Sequence, residues 1–110
     1  MKMKVKSKVW IEKNGELVFG AGRAMILRYI LKTGSINKAA QELNMSYRHA
    51  WSYLKSAEKR LNRPLIICTR GGANGGSTSL TPYAKKLLKR FVNLERRVKL
   101  YADKVYQKIF

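Results

Sequence analysis

The sequence predicts a mostly α-helical protein with two small β-hairpins and one long C-terminal helix. Three observations support this prediction. Apolar residues recur at spacings of three and four in several separate stretches, as on the buried face of a helix. Short apolar runs occur in two pairs, and a glycine-containing segment joins the members of each pair. No glycine or proline interrupts the chain between Pro82 and Phe110.

The composition points to a polyanionic partner. The chain has 110 residues, which suits one domain with at most an appended element. It carries 24 lysines and arginines against 6 acidic residues, a formal net charge of +18. Because neutralised phosphates release condensed cations, nucleic acid is the expected partner. An anionic membrane surface is the competing interpretation, and the absence of a Trp/Leu-rich amphipathic face argues against it.

The single cysteine and the hydropathy pattern indicate an intracellular protein. Cys68 has no partner for an internal disulfide, and its apolar neighbours predict a buried, structural thiol. No apolar run approaches the roughly 20 residues of a membrane span. The basic start, residues 1–4, lacks the apolar core of a signal peptide. We therefore expect a cytoplasmic, nucleoid-associated protein that does not contact membranes.

The first predicted element is a β-hairpin over residues 5–19. Its turn is Asn14-Gly15, the preferred pair for a two-residue type I′ turn. One face of the first strand carries Val5, Val9 and Ile11, and the other carries Lys4, Lys6 and Lys8. Since isolated hairpins are marginally stable, this one must pack on the rest of the domain. Trp10 and Phe19 are the predicted packing residues.

A helix is predicted from Arg23 to Thr33, after a loop at residues 20–22. Gly34 follows it and suits the left-handed conformation that ends helices. The predicted buried stripe of this helix is Ile26, Leu27, Ile30 and Leu31.

Residues 35–61 read as two further helices with a short turn between them. Ser35 is a good N-cap, and Ile36, Ala39, Ala40 and Leu43 follow at helical spacing. Asn44 can adopt the left-handed conformation, and Ser46 is a second N-cap. The second helix carries Ala50, Leu54, Ala57 and Leu61 on its apolar face.

This arrangement predicts a helix-turn-helix, with an ordinary helix–loop–helix in a small core as the alternative. In a helix-turn-helix the second helix enters the DNA major groove with its N-terminal residues at the base edges. Arg48 is suited to a bidentate contact with guanine. The predicted DNA contacts in this region are Ser35, Lys38, Ser46, Tyr47, Arg48, His49, Ser52 and Lys55.

A wing is predicted over residues 65–80. Pro64 is expected to close the second helix of the motif, and residues 65–69 then form a short buried strand paired with residues 78–80. The glycine-rich segment between them favours a hairpin tip lying along DNA; a plain mobile loop is the alternative. A nucleotide-binding loop is disfavoured because no Gly-Lys-Ser/Thr follows. The predicted contacts are Arg70, Gly71, Gly72, Asn74, Gly75 and Gly76.

The last predicted element is a helix over residues 82–110. Thr81-Pro82 is a strong helix start, and the length of about 28 residues corresponds to roughly 42 Å. An a/d seam runs along it through Ala84, Leu87, Phe91, Leu94, Val98, Tyr101 and Val105. Because a domain of residues 1–81 is small, we expect a second copy of this dimerisation helix to cover the seam. Packing along its own domain is the alternative.

These motifs together resemble a known family. Gly34-Ser35-Ile36, Met45-Ser46-Tyr47-Arg48 and Ala50-Trp51, with the double-glycine wing, are similar to the winged helix-turn-helix of ModE-type molybdenum-responsive transcription regulators. That domain is itself similar to the DNA-binding domain of LysR-type regulators. The resemblance covers roughly residues 5–95.

The resemblance implies a homodimer that binds a palindromic operator in double-stranded DNA. It implies contacts by Ser46, Tyr47, Arg48 and Ser52 and by the wing, whereas the place of Trp51 beside Ala50 suggests packing. ModE regulators carry a C-terminal oxyanion-binding module, and nothing in residues 1–110 resembles a molybdate pocket. We therefore expect no oxyanion-sensing domain within this sequence, no other effector site and no cofactor.

The leading functional hypothesis is a dimeric, sequence-specific transcription regulator. A non-specific architectural DNA-binding protein is the alternative; the charge favours it, and the polar, varied residues of 46–52 do not. An enzyme is not expected. His49 is the single histidine, and the six carboxylates form no nucleophile–base pair or metal-ligand spacing.

Overall fold

A computed structural model describes residues 2–69 and 77–110 of the chain. The elements follow in the order β1 (Trp10–Lys13), β2 (Glu16–Gly20), α1 (Ala21–Thr33), α2 (Ile36–Glu42), α3 (Tyr47–Leu61), β3 (Ile66–Thr69), β4 (Ser77–Leu80) and α4 (Pro82–Ile109). The mostly helical fold with two small antiparallel hairpins is thus confirmed. Within the described residues, no helix is both long enough and apolar enough to cross a membrane.

The first hairpin is shorter than predicted. Its turn has positive φ at both Asn14 (54°) and Gly15 (79°), as a type I′ turn requires. The strands begin at Trp10, with a bulge after Ile11, and residues 2–9 form no regular structure. The packing prediction is right for Phe19, which is fully buried, and wrong for Trp10, which is 49% exposed. The reason is that β2 faces the core while β1 lies outside it.

Helix α1 begins two residues earlier than predicted. Ala21 and Gly22 belong to the helix, so the loop predicted at residues 20–22 is wrong. Gly34 ends the helix with φ 74°, and its N–H donates to the carbonyl of Ile30 at 2.7 Å. Leu31, predicted to be buried, is 57% exposed because it lines an open groove between α1 and α4.

Helices α2 and α3 form as the local signals predict. The Ser35 hydroxyl accepts from the Lys38 N–H at 3.1 Å, and the Ser46 hydroxyl accepts from the His49 N–H at 3.0 Å. Asn44 in the turn between them has φ 55°. Helix α3 ends at Leu61, before Pro64, because Asn62 already adopts the left-handed conformation. The apolar faces of both helices meet in the core; their buried residues are Ile36, Ala39, Ala40, Ala50, Leu54 and Ala57.

Strands β3 and β4 form a two-stranded ribbon that packs on the core at one end. Ile66 and Leu80 pair at that end, and both are buried. At the other end Ile67, Cys68 and Thr69 are exposed. The predicted buried thiol is therefore wrong, because a two-stranded ribbon has no second layer to cover Cys68.

Helix α4 starts at the predicted cap and runs for 28 residues. The Thr81 hydroxyl accepts from the Ala84 N–H at 3.1 Å and donates to the Pro64 carbonyl at 2.9 Å. Its first turns pack on α1 and β4. The ring of Phe91 meets that of Phe19 of β2 edge-on, with centroids 5.1 Å apart. The later turns extend beyond the core, and the chain measures 57 × 34 × 22 Å.

Candidate nucleic-acid interface

The first turns of α3 expose a compact set of polar side chains. Ser46, Arg48 and Ser52 are all exposed, and Ala50 and Leu54 turn the opposite face of the helix into the core. At 100° per residue, Arg48 and Ser52 point away from that buried face. Such a helix packs on the core through its apolar face and carries polar residues on the opposite face. It can therefore present hydrogen-bonding groups to a groove in a partner.

Tyr47, Trp51 and Lys55 form a second row on α3, one turn apart. The rings of Tyr47 and Trp51 stack with centroids 6.3 Å apart and planes 14° apart. The Lys55 ammonium lies 4.5 Å from the centroid of the Trp51 ring, close enough for a cation–π contact. Trp51 therefore packs against its neighbours on the same helix, as expected, and it orients two predicted DNA contacts, Tyr47 and Lys55.

His49 and Tyr53 form the row on the other flank of α3. Their rings meet edge-on with centroids 4.3 Å apart. Behind them, Arg23 of α1 donates to the Tyr53 carbonyl at 3.3 Å and to the Ser56 hydroxyl at 3.1 Å. Arg23 is buried, and this desolvation lowers its pKa, with the charge of Arg60 adding to the effect.

Glu58 joins α3 to the base of the ribbon. Its Oε2 accepts from the N–H groups of Leu65 at 2.7 Å and Ile66 at 3.3 Å. Its Oε1 lies 3.1 Å from the Lys55 ammonium. The carboxylate thus fixes where β3 starts relative to α3 and holds Lys55 beside it.

The start of α2 lies near the other side of the ribbon. Ser35 is half-buried and its hydroxyl is engaged as the N-cap, whereas Lys38 is exposed. The Thr78 N–H of β4 donates to the Gly34 carbonyl at 2.8 Å. The ribbon is therefore tied both to α3 and to the junction of α1 and α2. The predicted wing contacts Arg70, Gly71, Gly72, Asn74, Gly75 and Gly76 lie outside the described residues.

The predicted dimer seam divides into two parts. Ala84 and Phe91 are buried in the core of the same chain, and Leu87 packs against that core. Further along α4, Leu94 and Tyr101 are 40% and 69% exposed, and Val98 and Val105 are half-buried. The domain itself covers the first turns, so the part of the seam that a partner can reach begins at Leu94.

The structure also shows residues that the sequence analysis missed. Glu58 was not singled out, although its spacing of three from Lys55 is a typical ion-pair spacing on a helix. Arg23 and Tyr53 were missed because their contacts join α1 to α3 across 30 residues of sequence. No local pattern predicts such a contact.

Comparison with known proteins agrees with this geometry. The family model described as bacterial regulatory helix-turn-helix protein, lysR family, matches residues 23–85. The transcriptional regulator ModE of Haemophilus influenzae is 45% identical over 74 residues, covering 67% of this chain and 29% of that protein. The molybdenum transport protein ModE of Herbaspirillum seropedicae is 46% identical over 72 residues, covering 66% and 27% respectively.

The chain spans less than a third of the length of these two relatives. Among solved structures, ArgP from Mycobacterium tuberculosis is similar with a TM-score of 0.53 and 17% identity, covering 81% of this chain and 30% of that one. At that identity the match supports the fold alone. The predicted resemblance to ModE-type and LysR-type proteins is confirmed, and the matched family consists of regulators rather than enzymes. The chain belongs to the LysR family of bacterial regulatory helix-turn-helix proteins.

Proposed function

We propose that the chain is a dimeric, sequence-specific DNA-binding module of a transcription regulator, with α3 in the major groove. The carrying observation is the exposed polar face of α3, whose Arg48 and Ser52 point away from a fully buried apolar face. Two relatives that match this part of the chain are named ModE, one of them as a transcriptional regulator. The proposal includes no oxyanion-sensing role for residues 1–110.

The placement of the ribbon supports contacts beside the major groove. Glu58 fixes β3 to α3, and the Gly34 carbonyl fixes β4 to the start of α2. Residues 70–76, which join these strands, would then meet DNA backbone next to the groove that α3 enters. Lys38, exposed in the first turn of α2, would contact a phosphate.

A second copy would pair along α4. Beyond the core, this face of the helix exposes the side chains of Leu94 and Tyr101. Two copies would present two α3 helices, which suits an inverted repeat with half-sites about one helical turn apart.

The test is selection of random duplex DNA by the protein at near-physiological salt, followed by sequencing of the bound pool. We expect an enriched inverted repeat. The Arg48→Ala variant should lose about 1–3 kcal/mol of discrimination at one base pair of each half-site, as a bidentate arginine does. Lys38→Ala is the comparison, because loss of a phosphate contact weakens binding to all sequences alike.

A non-specific architectural DNA-binding protein is the second candidate, favoured by the net charge of +18. Such a protein neutralises phosphates without reading bases, so its bound pool would show no enriched sequence. A bound but unenriched pool would contradict the specific regulator and support this candidate.

A further inference from the structure

A row of lysines precedes the first hairpin and has no part in the helix-turn-helix. Residues 2–9 contain a lysine at every second position and form neither helix nor strand. The four side chains, Lys2, Lys4, Lys6 and Lys8, are all exposed. Val9 packs against the core, so the end of this segment is anchored. We call residues 2–9 the lysine arm.

The arm joins the domain beside the flank of α3 that carries His49 and Tyr53. Lys8 lines a cavity of about 480 Å³ together with Arg23 of α1 and Tyr53 of α3. Tyr53 in turn lines the adjoining surface depression with Arg48 and Ser52. A continuous surface therefore leads from the arm to the residues proposed to read DNA bases.

The arm and the ribbon lie on opposite flanks of α3. Tyr53 is on one side of the outward-facing residues, and Glu58, which holds β3, is on the other side at 100° per residue. The ribbon base occupies the Glu58 side. The first hairpin occupies the Tyr53 side: Trp10 of β1 and Leu17 of β2 line the same cavity as Tyr53. The lysine arm leads directly into β1 and therefore lies on this flank, opposite the ribbon.

The positive charge around the arm favours an anionic ligand. The cavity beside Lys8 is lined by two cationic residues, Lys8 and Arg23, and by no acidic one. The hydrogen bonds of the Arg23 guanidinium go to a carbonyl and a hydroxyl, neither of which carries charge. In residues 2–69 and 77–110, the ion pairs are Lys55–Glu58 and Arg60–Glu16, so no arm lysine is paired there.

We propose that the lysine arm is a separate DNA-binding element that contacts backbone phosphates on the flank of α3 opposite the ribbon. This inference rests on the proposed DNA binding of α3. In an extended chain, alternate residues lie about 6.6 Å apart on one side, which lets several lysines follow one phosphate backbone. Such contacts carry no base information, so the arm adds affinity for every sequence and fixes the position of the domain on the duplex.

The test compares two triple variants with equal changes of charge. The arm variant replaces Lys4, Lys6 and Lys8 by glutamine. The control variant replaces Lys89, Lys99 and Lys104 by glutamine; these lysines are exposed on α4 and lie off its a/d seam. The measurement is the slope of log K against log salt concentration for one selected duplex and for one unrelated duplex.

Each lost phosphate contact reduces the magnitude of this slope by about 0.9, so the arm variant should lose about 2–3 units. The control should lose less than about 1 unit, because its lysines act only through the general field. The ratio of affinities for the two duplexes should not change in the arm variant. These lysines lie outside regular structure, so folding should be unaffected, which circular dichroism would verify.

Equal slopes for the arm and control variants would overturn the proposal. So would an altered ratio of affinities between the two duplexes, because the arm would then contact bases. The change of salt slope in the arm variant does not depend on whether the protein prefers one DNA sequence. A wild-type protein that binds both duplexes equally contradicts the regulator proposed above, while a slope change confined to the arm variant still supports the arm. A wild-type protein that binds neither duplex overturns both.

Discussion

At the scale of single residues, Glu58 makes several contacts between elements, although no sequence pattern singled it out. Its carboxylate caps the start of β3, pairs with Lys55, and thereby sets the ribbon beside the helix proposed to enter DNA. The two N–H groups that it accepts from belong to Leu65 and Ile66, both buried. Removing the acceptor would leave two buried donors without partners.

We therefore expect Glu58→Ala to lower the free energy of unfolding by roughly 1–3 kcal/mol, the usual cost of unsatisfied buried groups. Glu58→Gln keeps an acceptor oxygen and loses only the partly exposed pair with Lys55, worth about 0–1 kcal/mol. Urea unfolding of both variants measures the difference. Equal losses of unfolding free energy in the two variants would show that the charge of Glu58, and not its hydrogen bonds to β3, stabilises the fold.

At the scale of elements, the capped starts of α2, α3 and α4 were predictable, and the exposure of two apolar residues was not. Ser35, Ser46 and Thr81 all cap helices as predicted, because a cap needs only the residues within one turn. Cys68 and Leu31 were predicted to be buried and are exposed. Their burial depends on whether another layer covers the element, and apolar periodicity contains no information about that.

Thr81 links two elements through one hydroxyl. It caps α4 by accepting from the Ala84 N–H and joins the helix to the ribbon base by donating to the Pro64 carbonyl. We expect Thr81→Ala to lower the free energy of unfolding by about 1–3 kcal/mol, since a cap and a buried hydrogen bond are lost together.

Thr81→Ser is the matched control, because serine keeps the hydroxyl and loses one methyl group. It should retain most of the stability that the alanine variant loses. Thermal unfolding followed by circular dichroism measures both variants. If serine and alanine destabilise the protein equally, the methyl contacts of Thr81 in the core, and not its two hydrogen bonds, fix the start of α4.

At the scale of the whole molecule, one chain buries the first turns of α4 in its core and leaves the later turns exposed. A compact chain of this length would have a radius of gyration of about 13 Å, and this one has 16.6 Å because α4 extends beyond the core. The sequence predicted the length of α4 and its apolar seam. It did not predict that Ala84 and Phe91 fill the core. A helical pattern does not show which apolar residues pack within their own chain and which pack against a second one.

The extended part of α4 gives the last prediction. Leu94 and Tyr101 are exposed one heptad apart on the proposed dimer face, so placing a carboxylate at both should disrupt pairing. We expect the wild type to sediment as a dimer and the variant carrying Leu94→Glu and Tyr101→Glu as a monomer. The matched control carries Asn93→Glu and Gln107→Glu, which are exposed on the other side of α4 and add the same charge. It should remain dimeric. Dimers of the seam variant, or a monomeric wild type, would contradict pairing through this face.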